Sequence, residues 1–119
     1  MLLRLAIAIS TLIACGDGAP EAARADAAGG KEIFATACAP CHAANAGGHV
    51  GPNLTDEYWL HGGRPADILA SVRFGWVDKG MPAWGPVLGE ANVRAVVAYV
   101  VSLKNTRVAG GKAPQGTTE

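Results

Sequence analysis

Cys38-Ala39-Pro40-Cys41-His42 is the stretch that decides how the rest of the chain folds. Its two thiols are separated by two residues at the end of a helical pattern, close enough to meet neighbouring points on one edge of a flat ligand. The histidine that follows can approach the centre of that ligand from one face. Upstream, Gly30 to Cys38 carries Ile33, Phe34 and Ala37, an i, i+1, i+4 apolar face that predicts a helix.

Four chemistries use paired cysteines at this spacing. Cys-x-x-Cys-His is the signature of c-type haem attachment, with both thiols bonded to haem vinyl groups and the histidine bound to iron. A thiol–disulfide redox pair would stand at a strand-to-helix turn of a βαβ unit, and no strand pattern competes here. A zinc site wants four ligands, yet beyond Cys38, Cys41 and His42 only His49 and His61 remain, with no second paired motif. A disulfide across two residues is the fourth reading. The string therefore points to one haem c, covalently held at Cys38 and Cys41 with His42 as an axial ligand. Covalent attachment also makes a cofactor impossible to lose from an exported protein.

The opposite face of such an iron needs a ligand, and Met81, His49 and His61 are the candidates. Met81 stands in Lys79-Gly80-Met81-Pro82-Ala83-Trp84-Gly85, flanked by Gly and Pro and without a helical period. That is a loop able to lay a side chain over the second haem face, so Met81 is the expected ligand. A thioether sulfur favours ferrous iron and raises the reduction potential. His49 reads as a loop residue and His61 as an exposed residue at a helix end.

Three further helices are expected. Thr55 to His61 opens with a Thr cap and the acids Asp56 and Glu57, and stops at Gly62-Gly63. Pro65 to Phe74 has Pro at its first position, a face of Ile68, Leu69 and Val72, and Gly75 as its stop. In Glu90 to Lys104, Val93, Val96, Val97, Val100 and Val101 form one continuous stripe. β-branched residues are mediocre helix formers, so packing must hold that helix in place. The fold class is all-α.

A chain of 119 residues is enough for one small domain. Ten basic and ten acidic residues cancel, and no basic run exists to bind nucleic acid. The 50% hydrophobic content excludes intrinsic disorder, while 16 Gly and 7 Pro promise many loops. So small a core gains from a prosthetic group that adds apolar surface. No acid/base pair, nucleophile triad or phosphate loop is visible, so no catalytic residue is expected. Residues 1–14 read as a signal peptide: Arg4 precedes an apolar run, Leu5 to Ile13, that is about half of the roughly twenty residues needed to cross a bilayer. Leu12-Ile13-Ala14-Cys15 looks like a lipobox, with Cys15 acylated to give a membrane anchor; an ordinary secretory signal is the alternative. Residues 15–28 then read as a flexible tether, 29–104 as the folded domain and 105–119 as a disordered tail.

The whole of Gly29 to Lys104 resembles class I cytochrome c. Gly51-Pro52-Asn53-Leu54-Thr55-Asp56-Glu57-Tyr58-Trp59-Leu60-His61-Gly62-Gly63 and Gly80-Met81-Pro82-Ala83-Trp84-Gly85 are similar to the haem c domains in the dihaem subunit of cbb-type terminal oxidases. That subunit usually carries two haem motifs and a membrane helix, where this chain has one motif and a lipobox. The resemblance implies about four helices around one haem, with the N- and C-terminal helices crossing at Gly30, Phe34 and Tyr99. It also implies that the Pro52 carbonyl accepts the His42 Nδ1–H, and that Trp59, Arg73 and Trp84 neighbour the haem or its propionates. Trp76 is given no role. The expected function is a monohaem carrier that shuttles single electrons between redox partner proteins in a bacterial periplasmic respiratory chain. The alternatives are a haem subunit fixed in an oxidase or dehydrogenase complex, or a haem-based gas sensor; the chain would be a monomer or a complex subunit.

Overall fold

The computed structural model describes residues 21–119, so the expected signal segment and Cys15 lie outside the described residues. Helix α1 (Glu21–Ile33) runs on through a wide π-helical turn, Phe34–Cys38, into the short α2 (Ala39–His42). Within that turn the Ala39 N–H bonds to the Phe34 carbonyl, five residues back. Pro40 sits in the first turn of α2 and has no N–H to offer the Thr36 carbonyl, so the regular ladder breaks here. The break re-aims the last turn, which carries Cys41 and His42.

α1 crosses α5 (Glu90–Leu103), as expected of terminal helices in this fold. A side chain on Gly30 would run into the Ala95 carbonyl, so only glycine lets the backbones approach this closely. Phe34, 1% exposed, meets Tyr99 edge-on with centroids 5.4 Å apart. Burying such a ring contributes about 1.5–3 kcal/mol. Val93, Val96, Val97 and Val100 of the α5 stripe are buried, with Val101 half-buried at its edge. α3 (Pro65–Phe74) starts and stops where its Pro65 and Gly75 signals place it, and packs Ile68 and Val72 against α5. A 3₁₀ turn (Val77–Lys79) and the short α4 (Gly85–Leu88) complete the helical set.

Three expectations need correction. Thr55 to His61 is not a helix. Asp56 accepts the Tyr58 N–H at 3.0 Å in a local turn, and Thr55 is buried, donating to Asn53 Oδ1 at 2.7 Å. The cap and acid signals are thus used by turns, and Tyr58–Trp59 become a short strand, β1.

The stretch from Asn105 onward is not a disordered tail. Its Arg107 and Lys112 N–H groups donate to the Thr55 and Gly47 carbonyls at 2.9 and 2.7 Å. Val108 N–H donates to Thr55 Oγ1, and Thr117–Thr118, strand β2, pair antiparallel with β1. Glu119 Oε2 then accepts the Gly63 N–H at 3.0 Å. This strap satisfies backbone groups that would otherwise be left open, which is why it is ordered without an apolar core of its own. Lastly, the expected tether is helical from Glu21, because α1 begins there.

Candidate haem-binding site

An apolar cavity of about 460 Å³ opens between the α2 turn, β1, α3 and the loop that follows α3. Cys38, Cys41 and His42 line one side, Met81 and Trp84 another, with Val96 and Val100 of α5 behind. The sequence-predicted attachment and ligand residues therefore share one space.

His42 is fixed tightly. Its Nδ1 lies 2.8 Å from the Pro52 carbonyl oxygen. Burial, the larger effect, holds the imidazole below its ordinary pKa, against the opposing pull of the Pro52 bond. The ring is thus neutral at pH 7, with Nδ1–H donating and the Nε2 lone pair free to bind a metal. Gly51 supports the same ring: a Cβ there would come within 2.7 Å of His42 Cε1.

Cys38 is half-buried and Cys41 exposed, and both are free thiols. Burial, then the neighbouring Cys41, push the Cys38 thiol up to about 11. A redox-pair nucleophile needs the opposite shift. Among the described residues no three His, Cys, Asp or Glu side chains gather as zinc would require.

Met81 is half-buried at the end of a short closed loop. Trp76 N–H donates to the Met81 carbonyl at 3.0 Å and Met81 N–H to the Trp76 carbonyl at 3.1 Å. Trp84 N–H bonds the Val72 carbonyl, fastening the loop's far end to α3. Of the alternative ligands, His49 is exposed and does not line the cavity, whereas His61 does.

Pro52, Trp59 and Trp84 all line the cavity. Arg73 is not among the lining residues: its guanidinium pairs with Glu90 at the start of α5, while its Nε is buried without a hydrogen-bond partner among the described residues. Trp59 is 8% exposed, and its Nε1 has no hydrogen-bond partner among the described residues. An indole N–H in that state marks a place where an acceptor on a bound group belongs. Gln115, on the strap, also lines the cavity with a buried, unpartnered Oε1. Sequence reasoning missed Gln115 because the strap has no apolar period to announce that it folds back. It missed Trp76, which also lines the cavity, for lack of any motif around it.

The site fits a haem: two free thiols on one edge, a neutral oriented imidazole, a thioether across an apolar space, and an orphaned indole N–H. Together with the crossed terminal helices, these features define a class I c-type cytochrome. Residues 25–100 match the family described as cytochrome c oxidase, cbb3-type, subunit III, and the chain belongs to that family. It is 42% identical over 87 residues to the cbb3-type cytochrome c oxidase subunit CcoP of Rhodobacter capsulatus, covering 65% of this chain and 29% of that one. It is 38% identical over 100 residues to subunit FixP of a Bradyrhizobium strain, covering 82% and 34%. The chain thus spans about a third of the length of the curated relatives it matches. Among solved structures it resembles cytochrome cL of Methylophaga aminisulfidivorans, with a TM-score of 0.60 and 25% identity over 67% of this chain and 54% of that one. Haem c is accordingly the cofactor of this domain.

Proposed function

We propose that the chain carries one haem c, bonded through thioethers at Cys38 and Cys41 and ligated by His42 and Met81, and passes single electrons on the periplasmic side of a bacterial respiratory chain. The observation that carries this reading is that His42, held by the Pro52 carbonyl, and Met81, held by Trp76, line the same apolar cavity. The bound haem supplies a one-electron ferric/ferrous couple. The chain's residues do the rest. His42 and Met81 would hold the haem iron, and residues that stay bound in both oxidation states would keep reorganisation small. Phe34, Val96 and Val100 exclude water from the cavity floor, and Trp59 offers its N–H to a propionate. On this reading the chain acts by electron transfer.

The test is a visible spectrum of the matured protein. A low-spin ferric form with the weak red band of methionine–iron coordination is expected, lost in Met81→Ala and unmoved by carbon monoxide after reduction. A spectrum shifted by carbon monoxide would replace this reading with a gas-binding one.

The family match favours a second reading of the same chemistry, in which the domain is a haem subunit docked in a cbb3-type oxidase rather than a free shuttle. Among the described residues no helix is long and apolar enough to cross a membrane. Acylation of Cys15 would supply a membrane attachment in either reading. A tagged chain recovered from membranes in mild detergent separates the cases: oxidase subunits in stoichiometric yield mean a fixed subunit. Release of Cys15→Ala into the soluble fraction means a lipid anchor.

A further inference from the structure

His61 and Trp76 lie face to face, their centroids 3.6 Å apart and their planes 15° from parallel. Both residues line the cavity, from different elements. His61 follows β1, which β2 and Glu119 tie down. Trp76 opens the loop that ends at Met81, and its backbone exchanges both hydrogen bonds with Met81. Its indole is fixed as well, with Nε1–H donating to Ser71 Oγ of α3 at 3.0 Å. Gly75, just before it, packs so closely on the Pro82 backbone that a Cβ there would collide. Trp76 is therefore held at both its backbone and its ring, and its backbone is tied to that of Met81. The stack is exposed on one side, Trp76 to 37%, so core burial alone does not explain its alignment.

We propose that the His61–Trp76 stack is a clamp that positions Met81, joining the ligand loop to the β1 wall and holding the thioether at the iron's sixth position. This rests on the ligand reading given above. Both side chains are positioning residues, acting on the iron only through Met81. A stacked aromatic pair holds a loop closed by roughly two- to tenfold in its opening equilibrium. An incoming ligand can bind iron only while the loop is open, so the clamp also sets resistance to ligand exchange.

The experiment uses the full haem-loaded ferric protein with Trp76→Leu, His61→Leu and the stack-preserving His61→Phe. Two quantities are read: hydrogen exchange at the Met81 amide, and the affinity for added imidazole, followed by loss of the red band. The expected result is a roughly two- to tenfold rise in both for each Leu variant, near-native values for His61→Phe, and an unchanged Val97 amide in α5. Native exchange at Met81 in either Leu variant overturns the clamp. Faster exchange with unchanged imidazole affinity overturns it too, since the stack would then steady the loop without governing the iron. Failure of the ligand reading is seen separately, as a Met81→Ala spectrum identical to that of the native protein.

Discussion

His42 Nδ1 sits 2.8 Å from the Pro52 carbonyl oxygen, and Gly51, which precedes Pro52 and packs against the ring, is what lets the imidazole lie there. A loop backbone thus fixes both the tautomer and the plane of the His42 imidazole. Gly51→Ala tests this directly. Its Cβ would meet Cε1 at 2.7 Å, so either the ring or the loop must shift. The expected cost is about 1–3 kcal/mol, as for other overpacked sites, with an altered reduction potential. Denaturant unfolding and a redox titration check the two parts. A variant with native values in both would show that the ring is not held by this contact.

Gly30→Ala addresses the crossing of α1 and α5. The added methyl runs into the Ala95 carbonyl, a backbone group that cannot rotate away. Separating the helices would also part Phe34 from Tyr99. Destabilisation of at least about 2 kcal/mol is expected, near the upper part of the overpacking range. In a domain of this size that lowers the thermal midpoint by roughly 10 °C, measurable by circular dichroism.

Removing residues 105–119 should damage the haem domain rather than trim a loose end. The Arg107, Val108 and Lys112 N–H partners would be lost, together with the pairing of β2 with β1. At about 0.5–1.5 kcal/mol for each hydrogen bond, a loss of 2 kcal/mol or more follows. A truncated protein with the unfolding midpoint of the full chain would refute the role assigned to the strap.

Trp59→Phe separates folding from cofactor binding. Nε1 has no partner within the chain, so deleting the N–H removes no hydrogen bond from the polypeptide. If Trp59 donates to a haem propionate, as proposed above, stability of the haem-loaded protein should fall by about 1 kcal/mol for that bond, in addition to the packing lost with the smaller ring. The potential should shift, and its dependence on pH should change, because the propionate would hold its proton more readily. Unchanged redox behaviour would remove Trp59 from the haem's surroundings.

At the start of α3 the Arg64 side chain, chiefly by hydrogen bonding, holds the Asp67 carboxyl below the usual carboxylate range. A carboxylate depressed in the native state stabilises it above the unfolded value, near pH 4, and the contribution disappears as pH falls through the native value. The stability difference between wild type and Asp67→Asn should therefore narrow on going from pH 7 to pH 2, and salt should shrink it because the pair is exposed. Urea titrations at both pH values check the sign.

Much of this site was legible because its signals are local. Cys38, Cys41 and His42 lie in five consecutive residues, and the valine stripe of α5 follows the helical period directly. Pro65 and Gly75 marked both ends of α3, since each acts through its own backbone. The errors arose where long-range pairing overrode local preference. Thr55, Asp56 and Glu57 carry the chemistry of a helix start, but Thr55 is buried beneath the strap and Asp56 turns back on Tyr58. The strap itself is polar and glycine-rich. Its order comes from carbonyls some fifty residues away, about which its own sequence carries no information. Arg73 sits in the last turn of α3, where a basic residue suits the helix dipole, and its pairing with Glu90 seventeen residues on left no local signal. Trp76 had no periodicity to interpret, and its meaning appears only once His61 lies against it.

The thirteen-residue α1 has a mechanical consequence. A coil linking a redox domain to an attachment point would let the domain tumble, so that partners meet its reactive edge at random. A helix of that length is a stiff rod about 20 Å long, and its far half is pinned to α5. The direction in which the chain meets Glu21 is therefore fixed relative to the cavity, and lengthening α1 by a single residue would turn that direction by about 100° without moving it appreciably further away.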